Sequence, residues 1–428
     1  MSAPRVAMVA IVDFPNGVGG DTRRVHMLAR SLVAAGMTTA LVIPCTRGLV
    51  PPPAKVQGPE IIDGIHVIRL ARQGSYGHTP GIGTAGMARL FLLRWYSLFL
   101  SLVALVRLRI AGYRNFHLYQ PTFYDGAAYW LLARLTGARV SADYSDLSFV
   151  DHDRIETNPA RRLWSLNFRL GMTWLPARLD RTFVISHYLF ASMAQAVRPE
   201  RLRRIPPVVD TAAFDVPDPD APWRRRFGMP EGRVVLYAGA FFDNEGVPSL
   251  LAAAPRFLDG RPDVTLVVVG GHPADAWQRC RDSVAGLVAA DRIRFTGVRD
   301  SLEMPSCFRA ADVLVAPKAD HLLNRAGVPT KLVEYLASGR PVVITRVGDI
   351  PELVTDGVDA VLVDPGDVTA LGDAIAGLLD DPARALRLGQ AGRERARRDY
   401  DVAVIGKRLR KELVPGPAGT NERTHHTT

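Results

Sequence analysis

Short apolar runs of strand length alternate with stretches of helical spacing along almost the whole chain, the pattern of βαβ units and parallel sheets. Residues 5–12 read as a first strand, 16–21 as a glycine-containing loop, and 23–35 as a helix whose Val25, Leu28, Leu32 and Val33 share one face. Further strands are predicted at 39–43, 118–120, 139–143 and 181–185, with a helix over 129–135. A second series starts at Arg233, with strands at 234–238, 264–269, 292–296, 313–316, 341–345 and 360–363. Helices at 246–257, 329–337 and 368–379 fall between or after them. The second series restarts the architecture of the first. The pattern therefore predicts an α/β protein with two Rossmann-like domains, residues 1–205 and 224–395. A linker at 206–223 joins them where Pro, Asp and Ala crowd together. Residues 386–413 read as a long charged helical ending, and 414–428 as a disordered tail.

A length of 428 residues suits two domains of this kind rather than one. The apolar fraction of 47% and charged fraction of 22% are ordinary globular values. A net charge of +10, carried mainly by Arg, favours anionic partners such as nucleotides, phosphate esters or acidic lipid head groups. A solvated Arg-rich surface accounts for the same charge. Zinc-finger spacing and RNA-binding aromatic motifs are both missing, so no nucleic-acid partner is expected. Cys45, Cys280 and Cys307 are odd in number and far apart, which predicts free thiols in a reducing compartment, and so a cytoplasmic location with no metal. The apolar run at 6–12 is too short for a signal peptide. The stretch from Leu90 to Arg109 is the most apolar, yet Arg94 interrupts it. It is short for a membrane span and reads as a buried helix. The other reading is a peripheral membrane contact aided by Arg89, Arg94, Arg107 and Arg109.

Two segments carry candidate chemistry. Asn16-Gly17-Val18-Gly19-Gly20-Asp21 lies between a strand and a helix, where backbone can approach an anion closely. It is not a dinucleotide fingerprint, because Thr22 stands where the third glycine belongs. The second segment, GVPTKLVEYLASGRPVVIT at 327–345, holds more. Pro329 suits a first helical turn, so the backbone donors of Thr330 and Lys331 would face a diphosphate. Glu334, one turn further in, can accept hydrogen bonds from vicinal ribose hydroxyls. Gly339 fits a left-handed helix cap.

Seven segments in order resemble the retaining family 4 glycosyltransferases of GT-B fold, in which two Rossmann-like domains face a central cleft. They include NGVGGDTRRVHMLARSLVAAGM, FVISHYLFASM, PPVVDTAAF, VVLYAGAFFDNEGV, IRFTGV with AADVLVAP, PTKLVEYLASGRPVV, and GDIPELVTDGVDAVLVDPGD. The resemblance runs to about residue 412 and implies an N-terminal acceptor domain, a C-terminal nucleotide-sugar domain, and a helix over 396–413 that packs back on the first domain. It places Gly19 and Gly20 beside the donor phosphates or the acceptor, and Gly239 in the first loop of the second domain. Backbone at Gly297 and Val298 would read the base. Gly327, Val328, Pro329, Thr330 and Lys331 would cover the diphosphate, and Glu334 would hold the ribose. The implied reaction is transfer of a sugar from UDP or GDP with retention and without a cofactor, the departing phosphate taking the acceptor's proton. Asp146 and His152 are candidates for orienting the acceptor.

Three departures from the family pattern involve four positions. Ala326 stands eight residues before Glu334, where a second glutamate is common. Ala240 and Glu245 replace an Arg and a Lys, and a lone Glu beside a diphosphate would be repulsive. Ser145 replaces a His. In one reading Lys331, Arg325 and Lys318 supply the missing positive charge. In another the protein binds nucleotide sugars without turnover. The acceptor is open between a small hydrophilic or specialised-metabolite scaffold, as in antibiotic biosynthesis, and a lipid-linked or cell-wall molecule. Epimerase or phosphorylase chemistry fits less well, since a pyridoxal-phosphate lysine motif is lacking. The chain is expected to be a monomer or homodimer.

Overall fold

The computed structural model describes residues 3–12, 14–15, 19–44, 60–70, 84–147, 159–215 and 231–414. In the first half the strands are β1 (Arg5–Val9), β2 (Thr38–Ile43), β3 (Glu60–Ile62), β4 (Ile65–Arg69), β5 (Asn115–Tyr119), β6 (Arg139–Tyr144), β7 (Arg181–Val184) and β8 (Leu202–Arg204). They form one sheet in the order β3-β4-β2-β1-β5-β6-β7-β8. Every pairing is parallel except β3 with β4. Helices α1 (Gly20–Ala34), α2 (Thr84–Ile110), α3 (Phe123–Thr136), α4 (Pro159–Thr173) and α5 (His187–Ala194) connect the parallel strands.

The second half gives β9 (Arg233–Ala238), α6 (Val247–Leu258), β10 (Val264–Val269), α7 (Ala274–Val284), β11 (Ile293–Gly297), α8 (Met304–Arg309), β12 (Val313–Ala316), α9 (Leu322–Ala326), α10 (Thr330–Ser338), β13 (Val342–Thr345), α11 (Ile350–Leu353), β14 (Val361–Val363), α12 (Val368–Asp380), α13 (Pro382–Arg395) and α14 (Val402–Leu413). Its sheet runs β11-β10-β9-β12-β13-β14, all parallel. Both faces of such a sheet are covered, so its strands read as continuous apolar runs. Val264–Val269 is buried at every position.

The strand order reverses at β1 in the first sheet and at β9 in the second. Crevices at such reversals, beyond the carboxyl ends of the strands, are where open α/β sheets bind ligands. One buried apolar cluster runs through both halves, taking in Leu118 and Tyr144 of the first and Leu236 and Leu332 of the second. The chain crosses between the halves twice. The crossings touch where Val209 pairs with Tyr400 and Val402 through backbone hydrogen bonds.

Three predictions need correction. Residues 60–69 form a hairpin where no strands were read. Asp63 (φ 51°) and Gly64 (φ 76°) supply the two left-handed residues of a tight turn, so the Asp-Gly pair was its signal. Residues 386–413 are not one helix. A π turn at Ala396–Tyr400 and the cap residue Asp401, whose carboxylate accepts from the Ala403 N–H, divide α13 from α14. Helix α14 then lies on α1, close enough that a side chain at Gly406 would meet the Ser31 carbonyl. The segment from Leu90 to Arg109 lies within α2, whose described side chains divide between core and surface. Leu98, Ser101 and Leu105 face the core, while Trp95 and Phe99 are 50% and 59% exposed. None of the described helices is long and apolar enough to cross a membrane.

Candidate functional site

Strands β9 and β12, neighbours at the second reversal point, deliver the C-terminal wall of the cleft. The short turn Asp243–Glu245 folds Glu245 back between them. Gly246 makes this possible, with φ 70° and no room for a Cβ against the Pro317 carbonyl. Glu245 Oε1 accepts from Lys318 Nζ at 2.5 Å and Oε2 from Lys331 Nζ at 2.6 Å. The Tyr237 hydroxyl lies 3.1 Å from Oε2 and 2.6 Å from the Ala240 carbonyl. The Lys331 ammonium also sits 4.8 Å from the centre of the Tyr237 ring. Gly239 leaves the space this ammonium fills, since a Cβ there would come within 2.3 Å of Nζ. All three ionic side chains are largely buried.

This triad corrects the expectation of a lone repulsive Glu245. Two of the chain's five lysines bracket it, and the formal sum is one positive charge. Burial pushes the Glu245 carboxyl up, but Lys331 and Lys318 outweigh it and hold its pKa down to about 2. Lys318 goes the other way: burial lowers its ammonium to about 8, against the pull of Glu245. Arg325 does not join them. Its guanidinium forks Asp320 on an exposed face of α9.

Helix α10 forms because Leu332, Val333, Tyr335 and Leu336 give it one buried face, and Gly339 ends it at φ 76°. Pro329 is the residue just before the helix rather than within its first turn, and no side chain caps that turn. The Tyr335 hydroxyl accepts from the Ala238 N–H at 3.0 Å, which pins α10 to the end of β9. Gly327 and Val328 lie in the connection from α9 to α10. The Ala326 carbonyl accepts from Ser186 Oγ of the first half at 2.5 Å, which places Ala326 at the domain contact.

The N-terminal wall faces this helix start. Helix α1 follows Gly19, again without a side-chain cap. A Cβ on Gly20 would be 3.8 Å from Thr330 Oγ1, so the uncapped starts of α1 and α10 adjoin across the cleft. Arg23, on the first turn of α1, donates through Nε to Glu334 Oε1 at 2.5 Å. Arg24 points into its own domain and forks Asp143 at 2.8 and 2.9 Å. Asp146 accepts from Gln120 Nε2 at 2.9 Å, and its Cβ lies 4.0 Å from where a side chain at Gly327 would begin. His152, Gly17, Val18 and the tail lie outside the described residues.

Gly297 (φ 73°) ends β11, and the half-exposed Val298 follows it. Gly270 joins them to Gly239: its N–H donates to the Gly297 carbonyl at 3.0 Å, and a Cβ on it would fall 1.9 Å from the Gly239 carbonyl. Gly239, Gly270 and Gly297 thus adjoin one another as a shelf without side chains beside the triad.

Arg23 and Gly270 escaped the sequence reading. A cation in the first turn of a helix opposes the macrodipole, and that local conflict at Arg23 was a usable signal. Farther along the domain contact, His187, Asp349 and Glu352 bring ligand atoms within 4.8 Å of one another. A metal would fit such a set, but Arg204 already bridges the two carboxylates and His187 pairs with Glu352.

Residues 232–381 match the family described as Glycosyl transferases group 1. The chain is 36% identical over 243 residues to a GDP-mannose-dependent alpha-(1-6)-phosphatidylinositol monomannoside mannosyltransferase of Mycolicibacterium smegmatis, covering 55% of this chain and 62% of that one. It is 29% identical over 259 residues to a 2-deoxystreptamine glucosyltransferase of Streptomyces kanamyceticus, covering 59% and 62%. Each match thus spans less than two thirds of the relative's length. A sucrose-phosphate synthase from Thermosynechococcus elongatus superposes with a TM-score of 0.70 at 24% identity, over 95% of this chain and 97% of that one. With two largely parallel sheets and a structural likeness over nearly the whole chain, the protein has the GT-B fold, and residues 232–381 of its second half are similar to the group 1 glycosyl transferases.

Proposed function

We propose that this chain is an enzyme that transfers a sugar from a nucleoside-diphosphate sugar, with UDP or GDP as leaving group, to an acceptor hydroxyl with retention. The observation that carries this reading is the meeting of two uncapped helix starts, α1 and α10, with Glu334 one turn inside the second. The dipoles of two helix starts, and the backbone donors that a helix start offers, favour an anion beside them. Lys331 adds a buried cation beside the start of α10, and the glycine shelf at 239, 270 and 297 offers a place without side chains for the base.

In the proposed step the bond from the anomeric carbon to the diphosphate breaks, and the acceptor oxygen bonds to that carbon on the same face. The acceptor's proton passes to the departing phosphate oxygen. The protein's task is then electrostatic, stabilising the leaving diphosphate with donors already in place. Asp146, opposite Gly327, is suited to orient the acceptor hydroxyl.

For the acceptor we favour a small hydrophilic ring, the kind that the Streptomyces relative's name indicates. A lipid-linked acceptor is the second reading, favoured by the exposed Trp95, Tyr96 and Phe99 of α2 and by the name of the mannosyltransferase relative. Calorimetry with UDP and GDP, combined with a donor-hydrolysis assay, tests the function. Binding with turnover supports it, tight binding without turnover on any acceptor supports a protein that only binds, and no binding by either nucleotide sinks both.

A further inference from the structure

The reach of Arg23 across the cleft has consequences for the ribose site. Its helix belongs to the first domain, and its partner Glu334 belongs to the second, 311 positions away. Both side chains are largely buried, at 23% and 13% exposure. A buried carboxylate is costly without a partner, and Arg23 is the only cation recorded on Glu334 among the described residues. The contact is made through Nε to one oxygen, Oε1. A carboxylate has about four lone-pair sites, so Oε2 and the second site on Oε1 are left for other donors. Arg23 can therefore fix the orientation of Glu334 without using up its capacity to accept.

We propose that Arg23 is a positioning residue for the ribose. It turns Glu334 so that the free oxygen meets the vicinal hydroxyls, and it does so only when the two domains close. The ribose site is thus assembled from both domains, and donor binding and closure favour each other. The inference rests on the proposed donor site at Glu334.

The experiment compares UDP and GDP with their 2′-deoxy analogues by calorimetry, in wild type, Arg23→Ala, Arg23→Lys and Glu334→Gln, with melting curves as the folding control. Wild type should prefer the ribose form of its nucleotide by roughly tenfold, the effect of leaving a polar group unpaired. Arg23→Ala should erase most of that preference while still melting cooperatively, at a lower temperature because Glu334 loses its cation, and Arg23→Lys should restore part of both. The Arg23→Ala and Glu334→Gln effects should not add, because both act through one carboxylate. If Arg23→Ala weakens both forms equally, or changes neither, Arg23 does not position the ribose contact and the inference falls. If wild type itself ignores the 2′-hydroxyl, the placement of the ribose on Glu334 falls first and takes this inference with it.

Discussion

The two walls of the cleft are built by different means. The C-terminal wall gathers its charges within one domain: Lys318 from the segment after β12, Glu245 from a short turn and Lys331 from the start of α10 compensate one another before any ligand arrives. The N-terminal wall keeps Arg24 for its own core, on Asp143, and sends Arg23 across to Glu334. Its domain also carries the exposed aromatic side chains of α2. One wall is thus organised in advance, and the other completes itself only on contact. A preorganised wall suits the invariant part of the chemistry, the diphosphate. A wall that responds suits closure and the choice of acceptor.

The largest expected effect comes from breaking the organised wall. Glu245→Ala leaves two buried ammonium groups facing each other and should destabilise the C-terminal domain by about 3 kcal/mol, read by urea unfolding. An unchanged unfolding curve would mean the triad is solvated. Lys331→Ala leaves Glu245 paired with Lys318, so it should cost less stability. It should lower kcat by about a hundredfold, the scale for one oxyanion donor. A wild-type rate would move the phosphate role elsewhere.

The triad also sets a pH dependence. Glu245 has its pKa lowered to about 2 from 4.5, so the stability it gains is full above 4.5 and is lost as the pH falls toward 2. Lys318 is lowered to about 8 from 10.5, so between these values the unfolded chain binds more protons and this group favours folding as pH rises. Nucleotide affinity should fall over the same rise through pH 8, as the triad loses its net positive charge. Lys318→Met should remove that inflection, and an inflection that persists would assign it to another group.

The smallest effect belongs to the outer surface of the first domain. Trp95→Ala and Phe99→Ala should leave stability within about 0.5 kcal/mol, as for surface positions. If the acceptor is lipid-linked, they should abolish sedimentation with anionic vesicles. A wild-type protein that fails to bind vesicles at moderate salt removes the lipid reading.

The same contrast governs what the sequence discloses. The strands of the second sheet are buried on both faces, so their apolar runs stand out, and Val264–Val269 and Val313–Ala316 were read with their observed bounds. Helix α10 was legible from Pro329 and Gly339, which punctuate it. The hairpin at β3 and β4 was missed because its strands are short and half polar, although Asp63-Gly64 announced the turn. Helix α2 was misjudged because a count of apolar residues does not say which face lacks a neighbour. The pairing of Glu245 with two lysines lies beyond sequence reading, since Lys318 is 73 positions away and meets it only through sheet topology. Arg23 with Glu334 is the extreme case, joining two domains across 311 positions.

A structure of the protein with UDP or GDP soaked in tests the central claim most directly. The account predicts the diphosphate at the start of α10, beside Lys331 and at the edge of the Gly20–Thr330 contact, with the ribose hydroxyls on Glu334 and the base over the shelf at Gly239, Gly270 and Gly297. A nucleotide bound away from the start of α10, with Glu334 still held by Arg23 alone, would contradict it.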